Sequence, residues 1–164
     1  MGVVVETDRW AARAVRTSAG YVVRGADRPY VEAMERETGF DRLVLATRAL
    51  RKNPDCIEAN LEIACANDDP ARRLQFLERA VQAGDRLWAR AAWTAGADGL
   101  WNPEPATRAW LEAIKILGVT LGHVGDHDRQ RECFERLVVL DPTNELGAAD
   151  HLMAMPRVYA PAFA

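Results

Sequence analysis

Serine occurs once in these 164 residues, at Ser18, and lysine only twice, at Lys52 and Lys115. The lone serine sits in "RTSAG", outside any Gly-x-Ser-x-Gly elbow, and all three histidines follow residue 122. The sequence therefore offers no nucleophilic triad. Glycine-rich phosphate loops are missing as well. The cysteines, Cys56, Cys65 and Cys133, are odd in number and contain no Cys-x-x-Cys pair. A disulfide framework is disfavoured and a reducing, cytoplasmic setting is expected. No apolar run approaches the ~20 residues of a membrane span. "MGVVVETDRW" lacks the cationic start and apolar centre of a secretory signal, and Glu6 stands where a myristoylation pattern needs Ser or Thr. A basic excess is missing too. Residues 1–82 carry 13 basic and 13 acidic side chains, and residues 83–164 carry 8 and 11. With a formal charge of −3, the chain has no electrostatic bias toward nucleic acid.

What is present is helical periodicity. The chain is 49% apolar and 27% charged, an ordinary globular composition for one domain. Leu43, Ala46, Ala49 and Leu50 recur at helical steps before Pro54, and Ile57, Leu61 and Ala64 make the next stripe. Asp69 and Pro70 read as N-cap and first helical position, Leu74, Leu77 and Val81 as a buried line, and Gly84 as a helix end. Trp110, Ile114, Leu117 and Leu121 share a face, as do Cys133, Phe134, Leu137 and Leu140. Tyr30, Ala33 and Met34 predict a helix opened by Pro29 and ended by Gly39. "YVVRG" at 21–25 is a single isolated strand candidate. The fold class is all-α: antiparallel helical hairpins, each covering the apolar face of the last. Residues 1–27 read as a helical or partly ordered extension, 28–155 as the helical domain, and 156–164, "PRVYAPAFA", as an extended tail.

From Leu111 to Asn144 the spacing fits a 34-residue helical-hairpin repeat. Ile114, Leu117, Gly118 and Leu121 take the signature positions of its first helix. Gly125-Asp126 falls at the turn, Phe134 at the aromatic position, and Pro142 closes it. Gln130 and Leu137 stand where such a repeat has Ala, which predicts a splayed hairpin or a shifted partner helix. "ATRALRKNPD" and "FLERAVQAGD" look like ends of further repeats, with "DRLWARAAWTAGADGLWNPEP" inserted before the last. This order resembles bacterial tetratricopeptide proteins of the suppressor-of-tumorigenicity type over about residues 30–155, most particularly in Asn-Pro-Asp-Cys at 53–56.

The resemblance implies a right-handed solenoid that holds other proteins, with no catalytic residue or cofactor. It places Glu58, Leu61, Glu62 and Cys65 on the concave face from one hairpin, and Glu112, Lys115, Val119 and His123 from the last. That lining is mixed and mildly acidic, suited to a basic or apolar peptide, and lacks the carboxylate clamp of chaperone-tail binders. Trp88 and Trp93, about 140° apart around a helix, are candidate aromatic anchors. His123 and His127 flank a turn, which separates their rings and argues against a metal site. Cys56 and Cys65, at opposite ends of one helix, read as buried apolar packing. The leading expectation is a non-enzymatic scaffold or accessory subunit for a protein or peptide partner. Self-association through the apolar tail and exposed aromatics is the second expectation. A small-ligand or metal-dependent enzyme is the third.

Overall fold

The computed structural model describes residues 28–34, 36–95 and 105–155, and every regular element among them is a helix. Seven follow in order: α1 (Arg28–Met34), α2 (Gly39–Lys52), α3 (Ile57–Cys65), α4 (Pro70–Ala95), α5 (Pro105–His123), α6 (His127–Leu140) and α7 (Ala148–Ala154). Each packs on the next, and α3 also reaches α5. Residues 1–27, with the strand candidate, and the tail 156–164 lie outside the described residues. Among the described residues no helix is long and apolar enough to cross a membrane.

Local chemistry explains the helix ends. Asp69 Oδ1 accepts the Ala71 amide at 3.1 Å, and Pro70, which has no amide to leave unpaired, opens α4. Asp126 caps α6 through the Arg129 amide at 3.3 Å, just after Gly125 turns with φ +86°. Between α2 and α3, Asn53 Oδ1 accepts the Asp55 amide at 3.0 Å. Asn60, fully buried, reaches back and donates to the Pro54 and Cys56 carbonyls, each at 2.8 Å. The Asn-Pro-Asp-Cys stretch is thus a turn held from inside the helix that follows it. After α6, buried Asp141 plays a similar part, accepting from Thr143 Oγ1 and the Leu146 amide, both at 2.8 Å. The closing α7 then docks on α6, where His151 stacks on Phe134 with ring centroids 4.5 Å apart.

The core runs through the middle of the helix series. Trp110, Leu111, Ile114 and Leu121 of α5 meet Phe134 and Leu137 of α6 and Leu77 of α4, all essentially inaccessible to water. Gly118 permits the α5–α6 approach, because a Cβ there would lie 3.1 Å from both Phe134 and Cys133.

Four sequence expectations need correction. Gly84 does not end a helix: α4 runs through it to Ala95. Glycine is needed there because a Cβ would lie 2.1 Å from Trp110 Cδ1, so the indole of α5 occupies that space. Gly39 does not end α1, which stops at Met34; it opens α2 with φ +59°. The α5–α6 hairpin is not splayed by Gln130, whose amide lies against Gly122, 2.4 Å from where a Cβ would be. Cys65, finally, is exposed, whereas Cys56 is buried.

Alanine at position 84 should therefore act against its helix propensity. In an open helix Gly→Ala gains roughly 1 kcal/mol. Here the overpacking cost, typically about 1–3 kcal/mol, should exceed that gain by up to about 2 kcal/mol, lowering the unfolding midpoint of Gly84→Ala in a denaturant titration. A raised midpoint would show that Trp110 is not seated on Gly84.

Candidate functional site

The contact of α3 with α5 makes one continuous face from two helices distant in sequence. Its chemistry is set by pairing. Glu62 of α3 accepts Arg42 Nε of α2 at 2.6 Å, and Glu112 of α5 accepts Arg108 Nε, one turn away, at 3.1 Å. Cys65 lies where these groups converge. Its thiol is pushed above the usual range by partial burial first, then by the Glu62 carboxylate, with Glu112 adding to the rise and Arg73 and Arg42 opposing it. A thiol that feels both Glu62 and Glu112 ties the end of α3 to the first half of α5.

The other expected residues divide. Leu61 and Val119 are half-buried and packed against the core, giving the face apolar patches between its charges. Lys115 is half-buried and His123 is exposed at the end of α5. Glu58 behaves differently from its neighbours. Its Oε1 is buried, Cys56 Sγ lies 3.9 Å from Oε2, and burial pushes the carboxyl well above the normal range, partly offset by its own backbone amide. Glu58 therefore belongs to the helix packing more than to the open face. The backbone of α4 runs through Trp88 and Trp93, but their side chains lie outside the described residues, so neither is placed at the face. His123 and His127 fall on opposite sides of the turn, and His127 Nδ1 lies 3.0 Å from Gln130 Oε1. Among the described residues no group of three potential metal ligands comes together.

Arg42 and Arg73 escaped the sequence reading, and Arg108 was legible only as an i,i+4 partner of Glu112. Their effect is large. Glu62 and Glu112 each carry an arginine, and a buried Glu58 resists ionisation, so the face is zwitterionic rather than an open acidic strip.

No family model matches this chain, and neither a curated protein nor a solved structure matches it.

Two outcomes test this electrostatic picture. For Glu58 the folded pKa exceeds the unfolded value of ~4.3, so folding takes up protons and stability falls as pH rises from about 4.3 through the folded pKa. Glu58→Gln cannot ionise. It should melt above the native chain near pH 7, and the gap should close as the pH falls toward about 4; a gap that widens in acid would refute the burial. For Cys65, removing the Glu112 charge should lower the thiol pKa, and the thiolate is the nucleophile. Glu112→Gln should speed alkylation at Cys65, followed by peptide mass spectrometry, with Cys133 as internal reference. An unchanged Cys65-to-Cys133 rate ratio would separate α3 from α5 in solution.

Proposed function

We propose that the chain is a tetratricopeptide-like, non-enzymatic scaffold that holds a protein or peptide segment on the face shared by α3 and α5. One observation carries the reading: α3 packs both on α4 and on α5, the first helix of the following hairpin. That is the pattern expected when helical hairpins stack and their first helices line one surface. The succession α1–α2, α3–α4 and α5–α6, closed by α7, supports it. So does the equivalence of the two proline turns, each braced by a buried Asn60 or Asp141.

A bound segment would meet alternating apolar and charged positions: Leu61 and Val119 as shallow seats, Glu62, Glu112, Lys115 and His123 as polar contacts. The Arg108–Glu112 pair is exposed and weak, so Arg108 can give up its carboxylate to a basic side chain of the partner at small cost, whereas the part-buried Arg42–Glu62 pair is held more firmly.

The decisive experiment is a pull-down from the source cell with the tagged full chain, repeated with Glu62→Gln/Glu112→Gln and with Lys115→Glu. A stoichiometric partner held by the native chain should be weakened by about 1–3 kcal/mol in the double variant, measured by calorimetry, with unchanged helix content. Undiminished binding in both variants would move the contact off this face. Glu58 is left intact, because its burial would confuse lost binding with lost stability.

A further inference from the structure

Helix α4 turns a row of one character to solvent. Arg72, Gln75, Arg79, Gln82 and Arg86 are all exposed, at alternating three- and four-residue steps along one helix face. The arginines are seven residues apart, about 10.5 Å along the axis. Arg86 meets Asp55 at 2.8 Å, and Arg79 lies over the Phe76 ring at 5.7 Å. Among the described residues, no carboxylate lies in ion-pair range of Arg72 or Arg79. Helix α6 turns out the opposite sign. Asp128, Glu132 and Glu135 are exposed, the outer two seven residues apart, and likewise have no ion-pair partner among the described residues.

The chain already uses such spacing to join these two helices. Arg129 of α6 pairs with Glu78 of α4 at 2.6 Å, and Arg136 pairs with Asp85, so the rungs are seven residues apart on both helices. Aligning buried Phe134 and Leu137 with buried Leu77 and Ala80 brings Arg129 and Arg136 onto Arg72 and Arg79. Arg72 and Arg79 thus hold, on α4, the positions that bind a neighbouring helix on α6. The helix two before α4, α2, supplies them no ion pair.

We infer that the arginine face of α4 receives the acidic face of α6 from a second copy of this chain, so that copies associate with one another. The ladder fixes α4 and α6 side by side with both rows facing water, so the rows cannot meet within one chain. The contact joins two different patches, so it closes as a two-fold dimer when both rows of each copy engage reciprocally and extends as a heterologous array when only one does. A polyanion is the poorer occupant, since the acidic α6 row and the net charge of −3 oppose it. The inference is independent of the peptide-binding reading, since it uses neither α3 nor α5.

The test is sedimentation of the full chain over a range of concentrations. At about 0.01 M ionic strength, where charges act over ~30 Å, the weight-average mass should rise with concentration; at about 1 M, where they act over ~3 Å, it should not. The low-salt mass should climb from the 18.2 kDa of the single chain. Arg72→Glu/Arg79→Glu and Glu132→Arg/Glu135→Arg should each stay at that mass, and their mixture should associate again. The milder Arg72→Gln/Arg79→Gln should show the same loss, with circular dichroism confirming the fold of every variant. A monomer at all concentrations in low salt overturns the proposal. So does association that survives either reversal, as an interface made by the apolar tail would, or a mixture that stays monomeric.

Discussion

The carboxylate of Asp85 is the tie on which the packing of the central helices depends. It accepts Trp110 Nε1 of α5 at 3.1 Å and the guanidinium of Arg136 of α6, whose Cζ lies 5.2 Å from the Trp110 ring centroid. One side chain of α4 therefore satisfies the polar edge of the largest core residue and anchors the next helix. A buried indole N–H without an acceptor is costly, so the hydrogen bond lets Trp110 be a core residue at all. The same geometry dictates glycine one residue earlier, because the indole passes over Gly84 too closely for any Cβ. Asp85 and Gly84 act as one device, a polar anchor beside a clearance.

That device has consequences at the candidate face. With Trp110 seated, the first half of α5 is held against α4, and α4 in turn packs on α3. Arg108, Glu112 and Lys115 lie within a turn or two of Trp110 and inherit its fixed position. A peptide-binding surface assembled from separate helices needs such rigidity, since its side chains are useful only if their spacing is preset. Lower in α5, Gly118 and Gly122 set the distance to α6 by admitting Phe134 and Gln130. The face is thus positioned by contacts on its reverse side.

Much of this was legible from residue spacing alone. The helical class, the Asp69-Pro70 start, the core stripe through Trp110 and the Gly118–Phe134 contact all follow from local rules: period, capping chemistry and side-chain volume. Gly84 misled because a glycine that ends a helix and a glycine that admits a tryptophan are identical locally; only Trp110, 26 positions away, distinguishes them. Gln130 misled for the same reason, its space being provided by Gly122. At the candidate face the acidic residues were visible but their compensation was not. Glu62 meets Arg42 across 20 residues, and no periodicity records that pairing. Glu58, second in its helix and near Cys56, reads as an exposed first-turn acid, yet the residue is half-buried and its Oε1 is fully so.

The pairing also bears on how such a face discriminates. An uncompensated acidic strip attracts any cation, whereas Glu62 and Glu112 each already hold an arginine, so a ligand must offer better geometry than the resident partner. Exchange of one exposed pair for another changes little free energy, about 0–1 kcal/mol, so charge alone selects weakly. Selection then falls to the shape around Leu61 and Val119, where burying apolar surface yields roughly 25 cal/mol per Å². If the face holds a partner as proposed, its charges would set register and exclude mismatched partners, and apolar contact would supply the affinity. The outer faces of α4 and α6 differ in kind, since Arg72 and Arg79 on one and Asp128, Glu132 and Glu135 on the other have no ion-pair partner among the described residues. Long-range attraction, and with it sensitivity to salt, resides there.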